Sequence, residues 1–424
     1  MDAYDLQSAI DSSGLPRVFF FNGRLLSAGD LRTEQDARRH ADLWLGQGGG
    51  DGVVYGLEVS EASPPGASNP VLAIKAGLAI SRAGQALKLE CDTQIALSSQ
   101  PQATGETGNG CFGACAATSS GNLYSASSGL YLLCIAPAES RSGKVPTSGL
   151  NSQGGACNTD VVTDTVMFRR ISLDNELRDL QQSESDLQRL RSAIAWRCFG
   201  IDGQRQLAAN PFGLAPANID LADTLRNSKA INDCDVPLAL VYWTGSGLQF
   251  IDNWVVRRAP TPRRNSRDVF SLWASERPWN QGEALWQQFQ AQLAQIPLPQ
   301  QAAFVAKQRL RYLPAAGVVP IAEQSGESGF VASQFFAGLD AGDELQLDAE
   351  WLPGLLQQSF LLPPLDLTQT QPLCLLRIRE NVAAYNGSKA QSLLVFARYS
   401  LLRGEDPRFH YAHFGVEHFA ARYA

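Results

Sequence analysis

Two apolar runs that flank a short turn in the middle of the chain constrain the fold most. VPLALVYW at 236–243 and LQFIDNWVV at 248–256 stand on either side of Thr-Gly-Ser-Gly. Apolar runs of this length around a glycine-containing turn are typical of a β-hairpin. VVYGLEV, VLAIKAGLAIS, ALKLECDTQIALS and GLYLLCIAPAES add strand-like runs, with a turn at Ala83-Gly84. Many strands and few helical patterns, without regular βα alternation, predict an α+β fold that is mainly β.

A polar helix is predicted near the start of the chain. VFFFNGRLL forms a strand in this interpretation, ending at an Asn22-Gly23 turn. Ser27 followed three residues later by Asp30 is a capping-box signature, and about four turns without a helix breaker follow. The apolar stripe is thin, so we expect the helix on the surface or between polar surfaces. The glycine-rich segment at 46–52 should end it.

Two further helical regions lie later in the chain. Leucines and Ile194 at helical spacing predict one long helix over residues 172–196, with Glu184 interrupting the apolar seam. Packing on its own domain is favoured over a coiled coil with copies of itself, because fewer than three unbroken heptads are present. Residues 268–310 are predicted to be largely helical. Strands such as PLCLLRIRENV and SLLVFARYSLL should follow.

A chain of 424 residues is too long for one ordinary domain. We predict a β-rich N-terminal docking domain at 1–170 with a long Gly/Ser-rich loop at 100–128. Residues 171–260, the long helix and the β-hairpin, complete this module. Residues 261–424 hold a helical segment and a mixed β C-terminal domain.

The polar residues of the chain are mostly uncharged. Charged residues make up 18% and the formal net charge is −7, which suits a surface largely covered by neighbouring subunits and also fits a secreted or a merely Gln-rich protein. Without a basic face that could neutralise phosphates, nucleic acid is excluded as a partner. The N-terminus lacks a secretory signal pattern, and no apolar stretch is long enough to span a bilayer. We therefore expect assembly in a bacterial cytoplasm and no direct membrane insertion.

Catalytic motifs are missing from the sequence. It has no phosphate-binding loop, no dinucleotide fingerprint and no nucleophile elbow. A catalytic triad would need His40 or the histidines near residue 413 as its base, and no nucleophile stands out. Carboxylates at 340–344 and 405–406 read as solvated loop acids. The sequence therefore predicts a protein that is not an enzyme and needs no cofactor.

Two groups of residues are weak metal-ligand candidates, and neither has a recognised metal-site spacing. The first is a cysteine pair in the Gly/Ser-rich loop, and the second is a histidine cluster near the chain end. They are Cys111, Cys115, His410, His413 and His418. Cys134 and Cys374 lie inside apolar runs and are predicted to be buried thiols.

Several segments resemble one family of proteins. FFFNGRLLSAGDLRTEQ at 19–35 followed by GVVYGLEV at 52–59 looks like the opening signature of proteins in contractile injection systems and phage tails. A looser similarity exists to the N-terminal shell of the type VI secretion baseplate protein. The segments at 236–258, 310–321 and 333–339 resemble later parts of the same family. This resemblance implies a structural protein of a baseplate or a tail fibre adaptor, a virion component that forms homo-oligomers and contacts baseplate, spike or fibre subunits.

The resemblance places the docking element of such a protein in the first strand and the polar helix. Charge pairs between arginines and acids of the helix would set its register. The predicted interface consists of Phe19, Phe20, Phe21, Asn22, Gly23, Leu25, Leu26, Asp30, Leu31, Glu34 and Gln35. Two other interpretations stay open: a receptor- or glycan-binding tail tip, and a polysaccharide hydrolase with a carboxylate pair in a cleft.

Overall fold

The computed structural model describes residues 14–63, 70–97, 129–146, 157–210, 212, 219–244, 246–262, 273–324, 326–387 and 390–398. It is 35% helical and 33% strand, and the strands form several separate sheets. The predicted α+β class is confirmed, with helix and strand in nearly equal shares. The predicted 100–128 loop lies outside the described residues.

The first helix, α1, spans Ala28–Gly49 and begins with the predicted capping box. Ala37 is its one buried residue, so the predicted surface position is confirmed. The helix ends at Gly49 with Gly50 as its cap, so the prediction that the glycine-rich segment at 46–52 ends it is confirmed. A Cβ on Gly46 would lie 2.0 Å from the carbonyl oxygen of Gly84, so the missing side chain lets the helix approach this turn. Gln47 donates to the carbonyl of Ala83 at 3.0 Å.

Six short strands form two three-stranded antiparallel sheets next to α1. Their orders are β1-β4-β5 and β2-β3-β6, and the turn predicted at Ala83-Gly84 joins β4 to β5. The three runs VVYGLEV, VLAIKAGLAIS and ALKLECDTQIALS were each predicted as one strand. Each forms two strands, because the chain passes from one sheet to the other within the run. Leu57, buried with a φ of 61°, marks one of these corners. The strands are β1 Gly52–Gly56, β2 Val59–Glu61, β3 Val71–Ile74, β4 Gly77–Ile80, β5 Ala86–Leu89 and β6 Thr93–Ala96.

The central sheet is antiparallel and has the order β10-β9-β7-β8. The strands are β7 Gly129–Pro146, β8 Cys157–Ser172, β9 Val236–Thr244 and β10 Gly247–Asp252. Strands β9 and β10 are the predicted hairpin, which is confirmed. One face of the sheet packs on the small strands, and the other packs on helices.

The helix predicted over 172–196 is two helices separated near Glu184. Asp186 breaks the run because its side chain accepts the amide of Arg189 and starts a new helix. Leu177 and Ile194 of the predicted seam are buried in the core of this chain, so the helices pack on their own domain and form no coiled-coil seam. The helices are α2 Asp174–Ser183, α3 Leu187–Cys198, α4 Ile201–Ala209 and α5 Leu221–Asn227.

The last described part begins with the long helix α6, Arg277–Ala294, as predicted, and two short helices. Its main sheet has the order β12-β16-β15-β13, in which β13 is parallel to β15. The predicted strand PLCLLRIRENV ends at Ile378, and the next eight residues form a helix. The elements are α7 Leu298–Gln301, α8 Ala306–Arg309, β11 Tyr312–Leu313, β12 Ala316–Ile321, α9 Ala332–Phe335, β13 Asp340–Leu347, α10 Leu352–Ser359, β14 Leu365–Asp366, β15 Pro372–Ile378, α11 Arg379–Asn386 and β16 Ser392–Arg398.

Buried residues from both sides of the predicted 260/261 boundary share one core. Leu285 of α6 and Tyr312 of β11 pack in the same cluster as Leu190 and Leu240. Two further clusters cover the two faces of the C-terminal sheet. Cys134 and Cys374 are buried within these cores, which confirms the prediction for both thiols.

Candidate docking site

The N-terminal segment is where the structure differs most from the predicted strand. Residues 14–21 form no strand, and they pair with no other strand among the described residues. The prediction that VFFFNGRLL forms a strand is therefore wrong. Phe19 is 77% exposed and Leu25 is 93% exposed. The large apolar side chains of the predicted interface all point to solvent: Phe19, Phe20, Phe21, Leu25, Leu26 and Leu31.

A tight turn shapes this exposed segment. The amide of Arg24 donates to the carbonyl of Phe21 at 3.2 Å, and Gly23 has a φ of 92°. A positive φ at the third position of a turn is the type II geometry, which favours glycine. The predicted Asn22-Gly23 turn is confirmed. The rings of Phe19 and Phe21 lie 6.3 Å apart before the turn.

Arg24 ties the exposed segment to the start of α1. Its guanidinium donates to the carbonyl of Phe19 at 2.8 Å and to a carboxylate oxygen of Asp30 at 2.6 Å. The other carboxylate oxygen of Asp30 accepts the amide and the hydroxyl of Ser27, at 2.9 and 2.7 Å. A charge-assisted donor and the helix cap therefore hold the turn in one arrangement relative to the helix.

Hydrogen bonds from Ser27 lower the pKa of Asp30 to about 2, and Arg24 adds to the effect. Hydrogen bonds to the ionised form of a carboxyl favour that form. Asp30 is thus ionised at all physiological pH values. Asp30 belongs to the predicted interface, but its carboxylate binds Ser27 and Arg24 of the same chain.

The remaining predicted polar residues lie on α1 beyond the cap. Glu34 is half-buried, whereas Gln35 is exposed. On the same helix, Arg39 approaches Asp164 of β8 at 3.6 Å, so one of the arginines expected to set an interface register meets this chain itself. Trp44 and Leu45 are exposed near the end of the helix, and they were not among the predicted interface residues. Two large apolar residues at the end of an otherwise polar helix are the sequence feature that indicates this exposed pair.

We define the apolar docking element as residues 19–31. It combines six exposed large apolar side chains with a turn and a cap that hold its backbone. Single exposed apolar residues are common on protein surfaces, whereas contiguous patches mark interaction sites. This arrangement suits burial against another protein surface.

A polar cavity of about 260 Å³ is a second candidate site, and it was not predicted from the sequence. It lies between the central sheet, α5 and α6, and four arginines and four aspartates line it. These are Arg82, Arg226, Arg258, Arg277, Asp51, Asp220, Asp223 and Asp235. The lining residues come from five separate parts of the chain, so no local sequence pattern indicated that they would form a cavity.

The charges of this polar cavity are matched within the protein. Arg277 contacts Asp220 at 2.8 Å and Asp223 at 2.9 Å. Burial raises the pKa of Asp220, but Arg277, the amide of Asp223 and two further arginines together outweigh burial, so the net pKa is lowered. Arg258 donates to three backbone carbonyls of the preceding turn, while burial lowers its pKa to about 10. Neither a histidine nor a cysteine is among the described residues that line the cavity, so the lining holds no nucleophile–base pair of the usual kind.

The other chemical candidates fall into two groups. Cys111, Cys115, His410, His413 and His418 lie outside the described residues, as do Glu405 and Asp406. Within the described part of the chain, no group of three or more metal-ligating side chains comes together. His40 is exposed on α1, where its Nδ1 lies 2.7 Å from the carbonyl of Asp36.

The acids at 340–344 were predicted to lie in a loop, but they lie on β13, the edge strand of the C-terminal sheet. Asp340 and Asp343 are exposed. Glu344 contacts the Nε of Arg377 at 2.9 Å, so its carboxylate serves an ion pair that crosses from β13 to β15. The Glu344 carboxylate therefore helps to hold two paired strands together.

Comparisons with known proteins found no family model that matches the sequence and no matching curated protein. Among the residues that the structure describes, no helix has both the length and the apolar character of a membrane span.

Proposed function

We propose that this chain is a non-enzymatic structural component of a contractile injection system or phage-like tail. It stands at the baseplate or anchors a fibre, and its partners are other baseplate, spike or fibre subunits. The single observation that carries the docking role is the apolar docking element, which is both exposed and held in one conformation. The resemblance of residues 19–35 to proteins of these machines connects that role to a particle.

The energetics favour burial of the apolar docking element. Full burial of one Phe or Leu side chain contributes about 1.5–3 kcal/mol. Three adjacent phenylalanines and three leucines thus provide enough apolar surface for a small hot spot, where aromatic anchors dominate binding. Because Arg24 already holds Phe19 and Asp30 together, less conformational entropy is lost on docking.

The composition of the whole chain agrees with an assembled state. Charged residues are 18% of the sequence, and uncharged polar residues replace them. Interface cores are depleted in charged residues relative to free surfaces. We propose a homo-oligomer that assembles in the bacterial cytoplasm and becomes part of the injection particle or virion tail.

The test is a pair of substitutions in the apolar docking element, Phe20→Asp with Leu25→Asp, assayed for incorporation into particles. Both side chains are exposed, so the variant should fold normally and fail to assemble. Leu298→Asp is the matched control, since Leu298 is 62% exposed on a helix far along the chain. Normal incorporation of the double variant, with a normal melting temperature, removes this element from the interface.

Images of assembled particles test the wider assignment. Density for this chain at the junction of sheath and spike, or at a fibre root, supports the proposal. A distal position at a fibre tip favours a receptor-binding role. A chain that stays a soluble monomer and never joins particles contradicts the proposal.

A further inference from the structure

Strands β7 and β8 continue beyond the central sheet as a two-stranded ribbon. Strand β9 pairs with β7 only over residues 129–135, whereas β8 follows β7 to Pro146. Val161 and Val162 are each 49% exposed. Since adjacent strand residues point to opposite faces, both faces of the ribbon are partly exposed at these two positions. A hairpin of this kind is marginally stable by itself, so added pairing would stabilise it.

The hydrogen-bond register shows which backbone groups of β8 are unpaired. The amide of Leu173 donates to the carbonyl of Leu130 at 2.9 Å, one step beyond the pair Tyr131 and Ser172. In an antiparallel ladder this direction alternates along the strand. Odd-numbered residues of β8 therefore face β7, and even-numbered residues direct their N–H and C=O groups outward. No backbone group elsewhere in the described chain pairs with this outer edge.

The opposite edge of the ribbon is blocked. There the odd-numbered residues of β7 face outward, and one of them is Pro137, which has no N–H to offer. Gly143 interrupts the same edge with a φ of 72°. Residues 158–170 of β8 contain neither proline nor glycine, and they are rich in β-branched side chains. An added strand thus finds its hydrogen-bonding partners at β8.

Two carboxylates mark this open edge. Asp160 and Asp164 are exposed, and because they are four residues apart their side chains lie on one face of the strand. Both are even-numbered, so their backbone N–H and C=O groups point to the open edge. Arg39 approaches Asp164 at 3.6 Å, so a cation already lies beside one of them. Pairing with a second β8 would bring four aspartates together, and like charges on paired strands are destabilising.

We propose that the outer edge of β8 binds an extended segment of a partner protein that carries two basic side chains four residues apart. The segment adds a strand through main-chain hydrogen bonds, and its basic residues lie across from Asp160 and Asp164. This edge is separate from the apolar docking element at 19–31, so either surface can fail without the other.

The probe is the peptide Thr-Val-Lys-Val-Thr-Val-Lys-Val-Thr, labelled at one end and titrated with the full-length protein by fluorescence anisotropy. We expect the version with Glu in place of both Lys to bind roughly tenfold more weakly, because two favourable cross-strand pairs become unfavourable. The charge-reversed variant D160K/D164K should invert this preference. Equal binding of both peptides, or no binding of the Lys peptide, overturns the proposal.

Two proline substitutions test the register. Val162→Pro removes an outward N–H, so it should weaken peptide binding about tenfold or more and leave the melting temperature nearly unchanged. Thr163→Pro is the matched control, since it removes an N–H that faces β7 and should lower the melting temperature. Binding that is unaffected by Val162→Pro contradicts edge pairing. A wild-type dimer that Val162→Pro dissociates shows instead that β8 pairs with itself, and it overturns the assignment of a basic partner.

Discussion

A buried ion pair joins the central sheet to the helices, and replacing Arg191 with methionine tests its contribution to stability. Arg191 and Asp252 are 3% and 1% exposed, and the Nε of the arginine lies 2.8 Å from the carboxylate. The same guanidinium donates to the side chain of Gln295 at 2.6 Å. Methionine keeps much of the apolar volume, so the change removes the charge and its hydrogen bonds.

The expected loss follows from what remains around Asp252. Removal of one partner from a buried ion pair typically costs about 3–5 kcal/mol, because the other charge is left uncompensated. Asp252 keeps a hydrogen bond from Gln288 at 3.0 Å and the amides of Trp254 and Val255 at 3.2 Å. These donors still stabilise the carboxylate, so we expect the low end of that range, about 3 kcal/mol.

Urea denaturation followed by tryptophan fluorescence measures this free energy of unfolding. Arg197→Met is the matched control on the same helix, because Arg197 contacts Asp179 at 2.8 Å with both side chains largely exposed. An exposed pair contributes about 0–1 kcal/mol. The double variant R191M/D252N should be more stable than R191M, since no unpaired buried charge remains. If R191M loses no more stability than R197M, the reasoning about the buried pair is refuted.

Three further predictions concern other parts of the fold. Gly84→Ala should lower the free energy of unfolding by about 2 kcal/mol or more, because the φ of Gly84 is 89° and the new Cβ would lie 2.0 Å from a carbonyl oxygen of α1. Gly48→Ala is the control: its new Cβ would have no neighbouring atom within 4 Å, so the change should be neutral or slightly stabilising in the same denaturation assay. The carboxyl of Asp30 should titrate near pH 2 by ¹³C NMR, so the contribution of the cap is complete above the ordinary pKa of 3.8 and is lost as the pH falls through about 2; a midpoint near 3.8 would show that the cap is absent in solution. Asp366→Ala should destabilise the fold by about 3 kcal/mol, since it leaves Arg311 without its carboxylate partner, and a calorimetric loss below about 1 kcal/mol would contradict the assigned ion pair.

Local patterns in the sequence predicted several elements correctly. Ser27 and Asp30 marked the start of α1 because capping depends on residues only three positions apart. The strands around Thr244 formed the expected hairpin for a similar reason, since apolar runs and a short turn are neighbours in the chain. The apolar residues selected for docking are all exposed, although the strand expected to carry them does not form.

Two errors arose because a helix begins inside an element that was predicted as one continuous helix or strand. The long predicted helix breaks at Glu184 because Asp186 caps a second helix. Strand β15 gives way to a helix after Ile378, whereas the predicted strand continued over residues 379–382.

The sequence by itself determined the α+β class, the helix start at Ser27, the hairpin around Thr244 and the exposed character of the polar helix, because each depends on contacts between near neighbours in the chain. Only the tertiary structure decided that the phenylalanines at 19–21 find no covering strand among the described residues, and that Arg24 holds them against α1. It also decided which edge of β8 remains open and which arginines and aspartates meet in the polar cavity. Such features depend on long-range pairing and on the direction of individual hydrogen bonds, and neither is encoded in the spacing of residues along the chain.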